Sequence, residues 1–217
     1  MFHTDAVQAA GKIPIDVEKL GVDLLSISAH KFCGPKGVGA LYIRKGTHLA
    51  PLMHGGHSER DRRPGTEDVA AIAGMGKAAE LARAGLRTES DRMGALRDRL
   101  ERGLLDRVPH SWVNSAHAPR VPNTSNLTFP FIEGESMVIA LDLKGIACST
   151  GAACSSGAVE PSHVLTALGL APEDARATLR LSLGHQTTEA EIDFALETIP
   201  PVIDRLRQLS PTFQKLA

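Results

Sequence analysis

The sequence has no pair of cysteines at C-x-x-C spacing. Cys33, Cys148 and Cys154 stand apart, which argues against a disulfide framework and against a zinc knuckle. It has almost no net charge: the formal value is -1, with a pI near 6.8. A basic field able to hold nucleic acid or an anionic membrane is therefore missing. No apolar run approaches the roughly 20 residues of a membrane helix. Residues 1–20 lack the basic, apolar and small-residue order of a secretory signal. There is no internal repeat and no low-complexity tract. These absences lead to the expectation of a cytoplasmic protein with no direct nucleic-acid partner and no membrane partner.

What the sequence does contain is a core. Of its 217 residues, 42% are hydrophobic, enough for one large domain or two small ones. The stretch DLLSISAHKFCGPKGVGALYIR, residues 23–44, reads as a strand, a tight turn with Ser28, His30 and Lys31, a Gly/Pro loop and a second strand. The loop GPKGVG resembles a phosphate loop but lacks the G-K-[ST] ending and a following helix, so that reading is rejected. A lysine between two strands, beside a serine and a histidine, is well placed to hold a phosphorylated aldehyde.

Upstream, Phe2 to Val7 reads as the end of a strand running into a site, with Asp5 and Gln8 following. Asp5 is equally readable as a helix N-cap. Gly21 should stop a short helical turn. In HGGHSERDRRPGTE, residues 54–67, Arg63, Gly65 and Thr66 could face a phosphate. Residues 67–84 read as an Ala-rich helix ending before Gly85, with a second helix carrying Met93, Leu96, Leu100 and Leu104 on one face. The arginines there alternate with acids, as in Asp98 and Arg102, which marks a solvated face.

From residue 110 the texture is α+β. TSNLTFPF, IACST and ATLRLSLG read as strands, and in the last of these Leu179 and Leu181 lie opposite Arg180. ESMVIALDLKG reads as a helix stopped by Gly145, and SHVLTALGL as one with Ser162 as a candidate cap. TTEAEIDFALETI reads as an amphipathic helix that Pro200 and Pro201 should break.

Six stretches in combination, HTDAVQAAGKIPID, SISAHKFCGPKGVGALYIR, HGGHSERDRRPGTED, VPNTSNLTF, GAACSSGAVEPSHVL and LRLSLGHQTTEAEID, resemble the NifS/IscS-type cysteine desulfurases. These are pyridoxal-phosphate enzymes of the class V aminotransferase superfamily. The resemblance covers nearly the whole chain but only the C-terminal portion of a family member. It implies an α/β fold: part of the fold-type I large domain over residues 1–84, then a small C-terminal α+β domain over 85–217. Lys31 is then the lysine that forms a Schiff base with pyridoxal 5'-phosphate. Asp5 pairs with the pyridine nitrogen, Gln8 bonds the phenolic oxygen, and Ser28 and His30 donate to the phosphate. Thr66 matches a threonine that reaches the phosphate of a neighbouring subunit, which implies a homodimer. Arg180 holds the carboxylate of L-cysteine. Cys154, in a small-residue loop of the longer-loop type, takes the sulfur as a persulfide, leaves alanine, and passes the sulfur to an iron–sulfur scaffold or a tRNA-thiolation partner. Cys33 and Cys148 are left as structural.

The sequence departs from the family in lacking the half that carries the ring-stacking histidine, a phosphate-binding turn and an asparagine. His57, Asp61, Arg62 and Pro64 also stand where small or uncharged residues are usual. A catalytically incompetent truncated fragment is therefore one rival expectation, and under either reading little or no activity is expected from the isolated 217-residue chain. Selenocysteine lyase and cysteine-sulfinate desulfinase are narrower rivals.

Overall fold

A computed structural model describes residues 1–150 and 161–214. The chain divides into two compact units, Met1–Ser90 and Asp91–Ala217.

The first unit is built on a three-stranded sheet of β1 (His3–Asp5), β2 (Leu24–Ser28) and β3 (Gly39–Ile43), in that order. β1 runs parallel to β2, with Asp5 opposite Ser26; β3 runs antiparallel to β2, with Gly39 opposite Ser28. Helix α1 (Val17–Leu20) is a single turn between β1 and β2. Asp16 caps it by accepting the Glu18 and Lys19 amides, and Gly21, at φ 64°, ends it in the left-handed region that glycine enters without strain. The Arg44 guanidinium donates to the Val17 and Val22 carbonyls and to Glu18, holding α1 beside β2.

A four-residue 3₁₀ turn, Ala29–Phe32, follows β2 directly. Gly39 allows the hairpin to close, because a Cβ there would lie 2.7 Å from the Ile27 carbonyl oxygen. One cluster of buried side chains comprises Ala10, Ala29, Phe32 and Ala78; another comprises Ala6, Val22 and Leu25. Beyond β3 come α2 (Ser58–Asp61) and the long α3 (Val69–Arg107). The expected stop at Gly85 does not occur. A helical glycine costs only about 1 kcal/mol against alanine, and the surrounding alanines and i,i+3 pairs such as Lys77–Glu80 at 2.9 Å support the helix.

The second unit has an antiparallel sheet of β4 (Trp112–Val113), β5 (Thr124–Thr128) and β6 (Thr178–Ser182), again in sequence order. Its apolar face, with Val113, Leu127, Leu179 and Leu181, packs on Leu100 and Leu104 of α3. The same core takes Met137 and Leu141 of α4 (Gly134–Asp142) and Ile192, Leu196, Ile199 and Ile203 of α7 (Glu189–Gln208). The short helices α5 (His163–Ala167) and α6 (Pro172–Arg176) precede β6. Ser162 occupies the N-cap position of α5 without a capping hydrogen bond.

Two expectations fail in this unit. IACST does not form a strand; only Ser149 is bridged, to Arg180. Helix α7 also runs straight through Pro200 and Pro201. A proline at 200 has no N–H for the Leu196 carbonyl four residues back. That carbonyl instead accepts a hydrogen bond from Arg107 Nη1 at 2.5 Å. The helix start is secured by a capping box between Thr188 and Glu191. No helix among the described residues is long and apolar enough to cross a membrane.

Candidate functional site

Parallel strands end on the same side of a sheet, and in α/β sheets ligands bind beyond those carboxyl ends. Asp5 is the last residue of β1 and Ser28 the last of β2. The two strand ends and the segments that follow them carry five of the sequence-predicted residues: Asp5 and Gln8 at and beyond the end of β1, and Ser28, His30 and Lys31 at and beyond the end of β2. The Ala6 amide donates to the Ser26 carbonyl at 2.9 Å, carrying the β1–β2 pairing up to the point where the first segment turns. Asp5 Oδ1 accepts the Val7 amide at 2.9 Å, a bond to the turn that follows; no helix starts there, so the N-cap reading is not met, and no hydrogen bond to the second oxygen is formed among the described residues. His30 is exposed and Lys31 half-buried. The 3₁₀ turn holding them closes on Cys33, at φ 65°, whose amide returns to the Ala29 carbonyl.

Two residues not singled out in the sequence tie these segments together. Gly11 packs against the second turn, with room for no Cβ: one would lie 2.7 Å from Phe32 Cβ. Lys12 Nζ donates to the Gln8 carbonyl at 3.0 Å and to the Lys31 carbonyl at 3.4 Å. Its pKa is lowered, first by burial and then by the neighbouring Lys31 charge. The spacing of Gln8 and Lys12, four apart, was the available signal, since a turn of helix brings such residues together.

The donor set of this corner fits a phosphorylated pyridine aldehyde. It contains an amine in Lys31, a carboxylate in Asp5, an amide in Gln8, and a hydroxyl and an imidazole in Ser28 and His30. An anionic group here would also offset the mutual repulsion of Lys12 and Lys31.

Thr66 lies elsewhere in the first unit. It is exposed between α2 and α3, and no hydrogen bond or ion pair among the described residues joins it to the Lys31 turn. The short segment α2 before it is strained: its Glu59, Arg60 and Asp61 all have positive φ rather than right-handed helical angles, and His57 Nδ1 pairs with Asp61 Oδ1 at 2.6 Å. Left-handed non-glycine residues cost roughly 1–2 kcal/mol each.

In the second unit Arg180 is half-buried on β6, cross-strand from Asn126. Its backbone also bridges to Ser149, with Arg180 N to Ser149 O at 2.6 Å. Among the described residues no carboxylate pairs with its guanidinium. Cys154, the sulfur acceptor expected from the sequence, lies outside the described residues. Of the remaining cysteines, both left as structural from the sequence, Cys33 is exposed. Cys148 is packed against the core, and burial, with Asp142 second, pushes its thiol pKa up.

Residues 1–194 match the aminotransferase class-V family. The chain is 52% identical over 214 residues to a cysteine desulfurase IscS from Methanosarcina thermophila, covering 99% of this chain and 53% of that protein. It is 53% identical over 214 residues to a cysteine desulfurase from Klebsiella pneumoniae, covering 99% and 54%. Among solved structures it superposes on a NifS-like protein from Rickettsia africae with a TM-score of 0.85 and 34% identity, covering 94% of this chain and 53% of that one. The chain thus spans about half the length of the curated relatives it matches.

Proposed function

The chain belongs to the class-V aminotransferase family, and from that premise we propose that it carries the lysine and cysteine of a pyridoxal-phosphate-dependent cysteine desulfurase. The observation that supports this most is the convergence of the Asp5–Gln8 and Ser28–Lys31 segments at the carboxyl ends of β1 and β2, joined by Lys12. In this reading Ser28 and His30 donate to the cofactor phosphate, Asp5 pairs with the protonated pyridine nitrogen, and Gln8 donates to the phenolic oxygen. Thr66 contributes to the phosphate site of a second subunit in a homodimer.

Bound pyridoxal phosphate supplies an electron-withdrawing ring that makes the α-proton of an amino acid removable. Lys31 would take that proton from the α-carbon and hold it at Nζ. Arg180 orients L-cysteine through a bidentate contact with its carboxylate. The Cys154 thiolate attacks the substrate sulfur, forming an S–S bond as the C–S bond breaks. The electron pair of the broken bond stays on the carbon, which takes up a proton and leaves as part of alanine. The sulfur remains as a Cys154 persulfide, for delivery in the cytoplasm to an iron–sulfur scaffold or a tRNA-thiolation acceptor.

The test supplies the chain together with the N-terminal half of a family member, adds pyridoxal phosphate and L-cysteine, and maps persulfides by alkylation and peptide mass spectrometry. The expected result is a persulfide on Cys154, with alanine released in equal amount, and neither product from Cys154→Ala. Alanine formation that survives Cys154→Ala would refute the assignment. The same variant separates the rival lyase, whose action on selenocysteine does not need that thiol.

A further inference from the structure

The sheet of the second unit has one apolar face and one polar face. Trp112, Asn114, Asn126, Thr128 and Arg180 fall on the polar face by register: Trp112 is opposite Thr128, and Asn126 is opposite Arg180. The Asn114 backbone amide, just past β4, donates to the Asn126 carbonyl at 2.8 Å, so Asn114, Asn126 and Arg180 form one row.

The side chains of that row have a direction. The Trp112 indole can only donate, and it donates to Asn114 Oδ1 at 3.0 Å. Asn114 must then turn its Nδ2 the other way, where it donates to Asn126 Oδ1 at 2.6 Å and to Thr128 Oγ1 at 2.9 Å. Asn114 is buried, so it has little freedom to reverse. With Oδ1 of Asn126 taken by Asn114, its Nδ2 donors are left for another partner, and Arg180 is its cross-strand neighbour on that face. No hydrogen bond from that Nδ2 is formed among the described residues.

We propose that Asn126 is the second donor of a carboxylate site centred on Arg180, with its amide held in the donating orientation by Trp112 through Asn114. This rests on the reading of Arg180 as the substrate-carboxylate residue. The pairing suits a single carboxylate: the guanidinium supplies the positive charge, and the amide supplies an extra donor without like-charge repulsion. An aspartate at 126 would instead satisfy Arg180 internally. Trp112 and Asn114 act as positioning residues, and Asn126 and Arg180 as the binding pair.

The experiment titrates the 217-residue chain with propionate, a carboxylate that needs no cofactor, and follows the side-chain ¹H–¹⁵N signals of Asn126 and Arg180. Chloride at matched ionic strength is the control. The expected result is saturable movement of Asn126 Nδ2 and Arg180 Nε with one shared dissociation constant. Asn126→Ala should weaken the Arg180 response about tenfold, as loss of one hydrogen bond to a charged group does. Movement of Arg180 alone would overturn the role of Asn126 and leave the reading of Arg180 standing. No propionate-specific movement of either would overturn both.

Discussion

Replacing Lys12 by methionine removes one ammonium and its two hydrogen bonds while keeping an unbranched apolar stem. The bond to the Gln8 carbonyl, at 3.0 Å, is well made; the one to the Lys31 carbonyl, at 3.4 Å, is at the weak end. A hydrogen bond to a charged group contributes about 1.5–3 kcal/mol. Burial of the ammonium opposes this, which leaves a net cost of about 1–2 kcal/mol for Lys12→Met near neutral pH. A loss of that size corresponds to a roughly 5–30-fold change in an opening equilibrium. The assay is hydrogen exchange at the Ala10, Ile13 and Gly34 amides, which are bonded to the Ala6, Ala9 and Ala29 carbonyls. These should exchange faster by that factor, while the β2–β3 amides change little. The pH dependence carries a sign. The folded pKa of Lys12 is lowered below the ordinary 10.5, so between the two values the unfolded chain binds more protons. Stability relative to Lys12→Met therefore rises with pH across that window. Unchanged exchange at the three amides, or a flat pH difference between the two proteins, would refute the bridging role.

Two further outcomes follow from the described contacts. Arg107→Met should cost about 1 kcal/mol in denaturant unfolding because it orphans the Leu196 carbonyl, and much less in a Pro200→Ala background, where residue 200 regains its N–H; equal costs in both backgrounds would exclude the compensation. Iodoacetamide should label exposed Cys33 readily at neutral pH and Cys148 slowly, with the Cys148 rate climbing only at higher pH because burial raises its thiol pKa; comparable rates in the folded protein would contradict that.

Much of the fold was legible because its signals are local. Apolar runs bounded by glycine and proline marked β2 and β3, and the alternation around Arg180 marked β6 and its two faces. The misreadings have non-local causes. Gly85 and Pro200 read as helix breaks on propensity, but a long helix tolerates one glycine, and the carbonyl that Pro200 deprives is served by an arginine 89 residues away in sequence. IACST has strand composition, yet only Ser149 finds a pairing partner. At the candidate site, the residues with recognisable chemistry, Lys31, His30 and Asp5, stood out. Lys12 and Asn126 did not, because their roles depend on which carbonyl or neighbouring amide they meet, and that is set by turns and register.

Trapping shows which lysine meets the cofactor aldehyde. The protein is incubated with pyridoxal phosphate, reduced with borohydride to fix any lysine–aldehyde linkage, and mapped by peptide mass spectrometry. A single dominant adduct on Lys31 is expected, reduced by Ser28→Ala and His30→Ala together. Lys19, Lys36 and Lys45, all exposed, serve as internal controls. Adducts spread evenly over those surface lysines, or concentrated on Lys12 with Lys31 unmodified, would contradict it.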